Sequence, residues 1–269
     1  MPEGDTIFRA AASMDRWLRG RVITAARCVL AEVPVHLVVD QRVEAVEARA
    51  KHLLIRFASG HTMHTHMKMT GSWHVYRAGE RWRKPQWQAR LVLEAGERVA
   101  VCFNAPVIEL LVPGGETLHP SLAGLGPDVL RPPIDLDEVR RRAGERPADY
   151  PIGDLLLDQQ IVSGIGNIWR CEALFVGRIH PSTRRSALTD DQLDGLVTVA
   201  ADRMLRSAQP TAPGGRDFGG GQNQPWVYGR ARQPCRRCRA IVVAARMGRH
   251  ARTAYWCPRC QPPPAPADR

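Results

Sequence analysis

No stretch of the chain approaches the ~20 consecutive apolar residues that a membrane-spanning helix needs, which excludes an integral helical membrane protein. The first ten residues, MPEGDTIFRA, hold two acids and no apolar core, so no secretory signal is present and a cytoplasmic protein is expected. Aromatic residues are scarce at 6%, yet 44% of the chain is hydrophobic, too much for a disordered protein. Acidic residues are also short: Lys+Arg number 38 against Asp+Glu 27, a net charge of +11. That surplus points to a polyanionic partner, because it concentrates phosphates at the surface and speeds their association. At roughly 100–200 residues per domain, 269 residues make about two domains, each able to bury a core.

The seven cysteines fall into two groups. Cys28, Cys102 and Cys171 stand singly among apolar neighbours and read as reduced core residues. Cys235-x2-Cys238-x18-Cys257-x2-Cys260 has the spacing of a four-thiolate zinc site. Two disulfides are the alternative, disfavoured by the missing signal peptide. A shell closed by four thiolates leaves no position for water, so the expected Zn2+ is structural and not catalytic.

Along the chain, residues 5–19 carry apolar side chains at helical spacing and end at Gly20. From 21 to about 113, short alternating runs such as HLLIRF and RVAVCF, separated by Gly and charged turns, read as a β-sandwich or barrel. A Pro- and Gly-dense linker follows, then helical stretches at 137–143, 151–162, 167–176 and 189–207. Residues 208–225 read as a flexible second linker, and 226–260 as two β-hairpins bearing the cysteines. The predicted organisation is α+β. A sandwich domain with flanking helices occupies 1–125, a helical domain 126–225 and a zinc finger 226–262, with a disordered tail at 263–269. Within 226–260 there are nine Arg and no Asp or Glu, the composition of a phosphate grip.

Chemistry concentrates at the N-terminus. A small second residue lets the initiator Met be removed, exposing the secondary amine of Pro2. An α-amino group has a pKa near ~7.7–8.0, so a useful fraction is neutral at pH 7 and can attack an electrophilic sugar carbon to give an iminium ion. Glu3 beside it is placed for general acid/base work, and Gly4 permits a tight turn. Asn167, in Gly164-Ile165-Gly166-Asn167, opens a helix whose free N–H groups can hold a phosphate; an ordinary helix cap is the plainer reading.

Four blocks in order, MPEGDTIFRAA, ARAKHLLIRF, the segment 152–181, and VYGRARQPC with GRHARTAYWCPRCQ, resemble the formamidopyrimidine-DNA glycosylase/endonuclease VIII family over nearly the whole chain. The resemblance implies a sandwich domain and a helix–two-turns–helix domain with DNA in the cleft between them. It implies that Pro2 attacks C1′ of a damaged nucleotide, that Glu3 shuttles protons, and that Lys51 binds phosphate or assists protonation. It makes Arg252 a contact to phosphates flanking the lesion and Met69 a wedge that fills the void of an extruded base. The formamidopyrimidine branch carries a further Arg and Phe wedge on a loop, where this chain reads Asn104-Ala105-Pro106-Val107-Ile108-Glu109. The segment before VYGR is also too short for that branch's capping loop. Both departures favour the endonuclease VIII branch, whose substrates are oxidised pyrimidines in duplex, bubble or single-stranded DNA.

The expectation is therefore a monomeric, bifunctional DNA glycosylase/AP lyase, cytoplasmic and nucleoid-associated. An 8-oxoguanine-type glycosylase, a non-catalytic DNA-binding protein of the same fold and a zinc-ribbon RNA-binding protein are the rivals. His61, His64 and His66 invite a metal reading, but alternation along a strand puts His61 on the opposite face, so three-ligand geometry is poor, and no carboxylate is expected to complete the set. They are expected to be structural or phosphate-facing.

Overall fold

The computed structural model describes residues 2–209, 215–219, 223–249 and 251–264. Five residues of the expected disordered tail, 265–269, lie outside it, as do 210–214 and 220–222 of the second linker. The chain divides into two compact units, Met1–Gly124 and Leu125–Arg269.

The first unit opens with helix α1 (Gly4–Leu18), whose Ile7, Ala11, Met14 and Leu18 recur at helical spacing and are buried together. Eight strands follow: β1 (Ala25–Cys28), β2 (Val43–Arg49), β3 (His52–Phe57), β4 (Thr62–His66), β5 (Ser72–Arg77), β6 (Ala89–Ala95), β7 (Arg98–Phe103) and β8 (Val107–Leu111). They form two antiparallel sheets, ordered β2-β3-β4-β8 and β1-β6-β7-β5. Alternation sends Leu53, Ile55 and Phe57 of β3, and Leu91, Leu93, Ala100 and Cys102 of β6 and β7, into one core shared with α1.

The outer faces differ. That of β6-β7-β5 carries a satellite cluster of Tyr76, Val92, Val101 and Phe103 capped by Trp82. That of β2-β3-β4-β8 is polar, because His52, Arg56, Thr62, His64, His66 and Glu109 alternate out of the core. The segment after β8, read from sequence as a linker, packs its Glu116 and His119 against this face.

The second unit holds α2 (Leu136–Gly144), α3 (Ile152–Leu155), α4 (Asn167–Val176) and α5 (Asp190–Ala208), followed by the hairpin β9 (Val243–Met247) and β10 (Arg252–Trp256). The helix expected over 151–162 stops after one turn. Beyond it the chain folds through tight turns in which the Gln159 amide donates to the carbonyls of Leu157 (2.8 Å) and Ile165 (3.1 Å). Gly164, at φ 99°, makes the last bend before α4 in a backbone region that L side chains rarely enter. Around the cysteines one regular hairpin replaces the expected two. The first Cys pair sits on a turn closed by a single bridge, Pro234 to Ile241, too short to propagate a ladder.

Candidate active site and nucleic-acid interface

Glu3 occupies the N-cap of α1 in extended backbone, and its carbonyl accepts the N–H groups of Thr6 (2.9 Å) and Ile7 (3.1 Å). The residue is only 1% exposed and its side chain does not cap the helix. The positive end of the helix favours an anion at that point. Pro2, half-buried, immediately precedes it. Lys51 is half-buried in the two-residue turn joining β2 to β3, the strands on which α1 packs. Its neighbour Ala50 takes φ 55°; a glycine would fit the backbone more easily, but the Ala50 methyl is itself buried in the core.

Beside this turn lies a network that the sequence did not disclose. His52 Nδ1 meets His64 Nε2 at 2.8 Å, His64 Nδ1 meets Glu109 at 2.8 Å, and His119 Nε2 meets the same Glu109 oxygen at 3.0 Å. The backbone N–H of Ser121 donates to His119 Nδ1 (3.3 Å), so the His119 proton sits on Nε2 and points at Glu109. An ionised carboxylate only accepts, so His64 donates from Nδ1 and receives the His52 proton on Nε2. Burial pushes the His52 imidazole down to about 2, with His66, His64, His119 and Lys68 adding to it. His66, whose Nδ1 accepts the Lys68 N–H (3.0 Å), is held near 4 by burial and then by Lys68, His64 and Lys51.

The absence of a partner carboxylate read from sequence is therefore corrected. Glu109 completes a group with His64 and His119 whose ligand atoms lie within 4.8 Å of one another. The three side chains form a hydrogen-bonded cluster on the outer face of the sheet. His61 stands apart, its Nδ1 on Ser59 Oγ (3.1 Å). The missed members, His52, Glu109 and His119, arrive through strand register and a loop, and only their His and Glu side chains signalled them.

Met69 lies on the β4–β5 turn and is 57% exposed, not packed in the core. The stretch from Asn104 is a three-residue turn, Asn104-Ala105-Pro106, followed directly by β8, and Ala105 is fully buried.

In the second unit Asn167 is the first residue of α4, with Gly166 as N-cap. It is buried, and its Nδ2 donates to the Thr253 carbonyl of β10 (2.9 Å), which Arg170 Nη2 also approaches (3.1 Å). Arg252 opens β10 and is exposed. The hairpin tip is fastened to α3, where Asp154 accepts the Arg249 N–H at 2.8 Å.

The four cysteine sulfurs lie within 4.8 Å of one another. A tetrahedral ion with Zn–S bonds of 2.3 Å requires sulfur separations of about 3.8 Å. The Cys238–Cys257 separation of 3.4 Å is far too long for a disulfide. The Arg237 N–H points at Cys235 Sγ (3.4 Å), and a backbone N–H at Ala240 draws the Cys238 thiol down to about 7. Burial and the neighbouring sulfurs push Cys260 up to about 12. Four sulfurs this close cannot all ionise without a cation among them, so the donor set fits a soft divalent ion.

The sequence matches three families: the formamidopyrimidine-DNA glycosylase N-terminal domain over residues 1–106, the formamidopyrimidine-DNA glycosylase H2TH domain over 125–214, and the zinc finger found in FPG and IleRS over 232–263. It is 38% identical to "Probable endonuclease 8 2" of Streptomyces coelicolor, covering 99% of this chain and 96% of that one. It is 35% identical to "DNA-(apurinic or apyrimidinic site) lyase Nei2" of Mycolicibacterium smegmatis, over 97% and 99%. "Endonuclease 8" of Escherichia coli is 31% identical over 97% and 100%. Among solved structures, Lactococcus lactis Fpg with N7-benzyl-Fapy-dG DNA superposes with a TM-score of 0.81 at 19% identity, covering 97% of this chain and all of that one. With matches to both halves and to the finger, the chain belongs to the formamidopyrimidine-DNA glycosylase/endonuclease VIII family. Of these three relatives, two carry the endonuclease 8 name and one is named an AP lyase.

Proposed function

We propose that the protein is a bifunctional DNA glycosylase/AP lyase of base excision repair that removes oxidised pyrimidines and cuts the strand by β- and then δ-elimination. Buried Glu3, set at the head of α1 directly after Pro2, carries the reading. Relatives named endonuclease 8 and AP lyase support the reaction class, and the DNA in the solved relatives supports the partner.

The neutral Pro2 nitrogen attacks C1′, the bond from C1′ to the base breaks, and the base leaves with a proton. Glu3 supplies and recovers protons as the sugar ring opens to an iminium. The iminium withdraws electrons, so loss of a C2′ proton expels the 3′ phosphate, and a second elimination expels the 5′ phosphate. Water then hydrolyses the iminium and frees Pro2. Lys51 holds a phosphate beside the lesion, Met69 enters the void left by the extruded nucleotide, and Asn167 with Arg252 grips the flanking backbone. Cys235, Cys238, Cys257 and Cys260 hold Zn2+, which fixes the finger. The protein works as a monomer in the cytoplasm, at the nucleoid; among the described residues no helix is long and apolar enough to cross a membrane.

Borohydride trapping on an abasic-site duplex, with the adduct mapped by mass spectrometry, tests the mechanism. An adduct on Pro2 is expected, and it should vanish in Pro2→Gly while DNA binding persists. No adduct in the wild type, with Met1 removed and binding intact, overturns it. Strong 8-oxoguanine excision opposite cytosine would overturn the pyrimidine assignment alone.

A further inference from the structure

Trp87 is 79% exposed, an unusual position for the largest apolar side chain in a chain with only seven Trp. It lies in a short 3-10 turn, Gln86–Gln88, ahead of β6. That turn is fastened at Gln88: the Asn104 N–H donates to the Gln88 carbonyl (2.9 Å), and Asn104 Nδ2 donates to Gln88 Oε1 (2.9 Å). Asn104 in turn accepts Thr70 Oγ1 on its carbonyl (3.2 Å), and Thr70 follows Met69. Lys84 Nζ donates to Ser72 Oγ (2.8 Å), giving a second tether between the same two loops. The loops bearing Met69 and Trp87 are therefore bound together at one end of the sandwich.

The chain leading up to Trp87, from Glu80 to Gln86, lines a pocket of about 620 Å3 together with Arg27; its walls include Arg81, Arg83 and Lys84. Four cations around one carboxylate make a phosphate-attracting wall, and the exposed indole one residue beyond Gln86 offers a flat π-face. A paired base inside a duplex has both faces covered; only an unpaired base can use such a platform.

We propose that Trp87 stacks on a nucleobase left unpaired at the lesion, while Arg81, Arg83 and Lys84 hold its backbone phosphates. The proposal rests on the DNA-processing reading above. It also gives the three-residue β7–β8 turn a role: through Asn104 the turn braces the segment that presents Trp87. The base comes from one of two sources, the partner strand opposite the extruded nucleotide or an open single strand.

The test uses the full-length, zinc-loaded protein and 2-aminopurine oligonucleotides carrying a tetrahydrofuran abasic analogue, which cannot form an adduct. The wild type should quench 2-aminopurine placed opposite the analogue, and Trp87→Ala should not. Affinity of the variant should fall about 5- to 150-fold, the range of one base–aromatic stack. Trp87→Phe should recover most of it. On a duplex with analogues facing each other in both strands the two proteins should bind alike. Quenching confined to a single-stranded probe would assign the base to an open strand. Equal affinity and equal quenching by wild type and Trp87→Ala on both probes would overturn the proposal. A wild type that quenches but forms no adduct would instead overturn the lyase reading and leave the platform standing.

Discussion

Glu172 on α4 is fully buried, and its carboxylate accepts the backbone N–H groups of Trp226 (2.8 Å), Val227 (3.0 Å) and Tyr228 (3.0 Å). Burial pushes the Glu172 carboxyl above the usual carboxylate range, and the three backbone donors offset only part of that rise. One side chain thus terminates the strand of chain that leads into the finger. Glu172→Ala leaves three donors without acceptors, at a cost of at least about 3 kcal/mol, measurable by denaturant unfolding. The histidine cluster makes a second prediction at this scale. His52 titrates near 2 when folded and near 6.5 when unfolded, so the unfolded chain binds the extra proton between those values. Stability is therefore lost as pH falls below 6.5, by about 2 kcal/mol between pH 7 and pH 5 from this group. His66 adds in the same direction. Glu109, kept below its ordinary value against burial by His64 and His119, does so at lower pH. In His52→Leu the loss of thermal stability between pH 7 and pH 5 should shrink; an unchanged slope would assign the proton uptake to His64 and His66 instead.

Among the elements, β9 and β10 form a two-stranded hairpin with little buried surface, marginal by itself in water. Its order comes from the thiolate site and from α3 and α4, through Asp154, Asn167 and Arg170. Gln261 adds another tie, accepting the Cys257 N–H (3.0 Å) and donating to the Ile179 carbonyl (2.9 Å). Cys257→Ser or chelation should raise hydrogen exchange across 243–256 and weaken DNA binding at least tenfold, with the sandwich strands unchanged. Much at this scale was legible in sequence. The α1 face, the alternating strands, the helical run that becomes α5 and the cysteine spacing all announce themselves locally. The polar outer face of β2-β3-β4-β8 did not, since the pairing of His64 with Glu109 depends on register between strands far apart in the chain. Nor did the early end of α3: apolar residues run on past Leu155, and only tertiary hydrogen bonds decide that the chain turns.

For the whole molecule, the +11 charge sets how binding responds to salt. Each neutralised phosphate steepens the fall of log K with log salt by about 0.9. Arg252→Ala should flatten that slope by about one contact and weaken all sequences alike, whereas Trp87→Ala should lower affinity at constant slope. Titrations across a salt series separate the two. Here the candidate residues were readable because the family motifs are contiguous, Pro2 with Glu3 and the Cys pairs. Trp87 was not, because nothing in PQWQ distinguishes an exposed indole from a buried one.

The junction of the finger with α3 has a consequence for descent. A Cβ on Gly248 would stand 1.8 Å from Asp154 Oδ1, and the backbone there is at φ 74°. Neither position can drift alone: a side chain at 248 collides with the carboxylate, and loss of the carboxylate strands the Arg249 N–H it receives. The two sites are tied as an inherited pair, so lineages that replace Asp154 should be the ones in which Gly248 is also free to change.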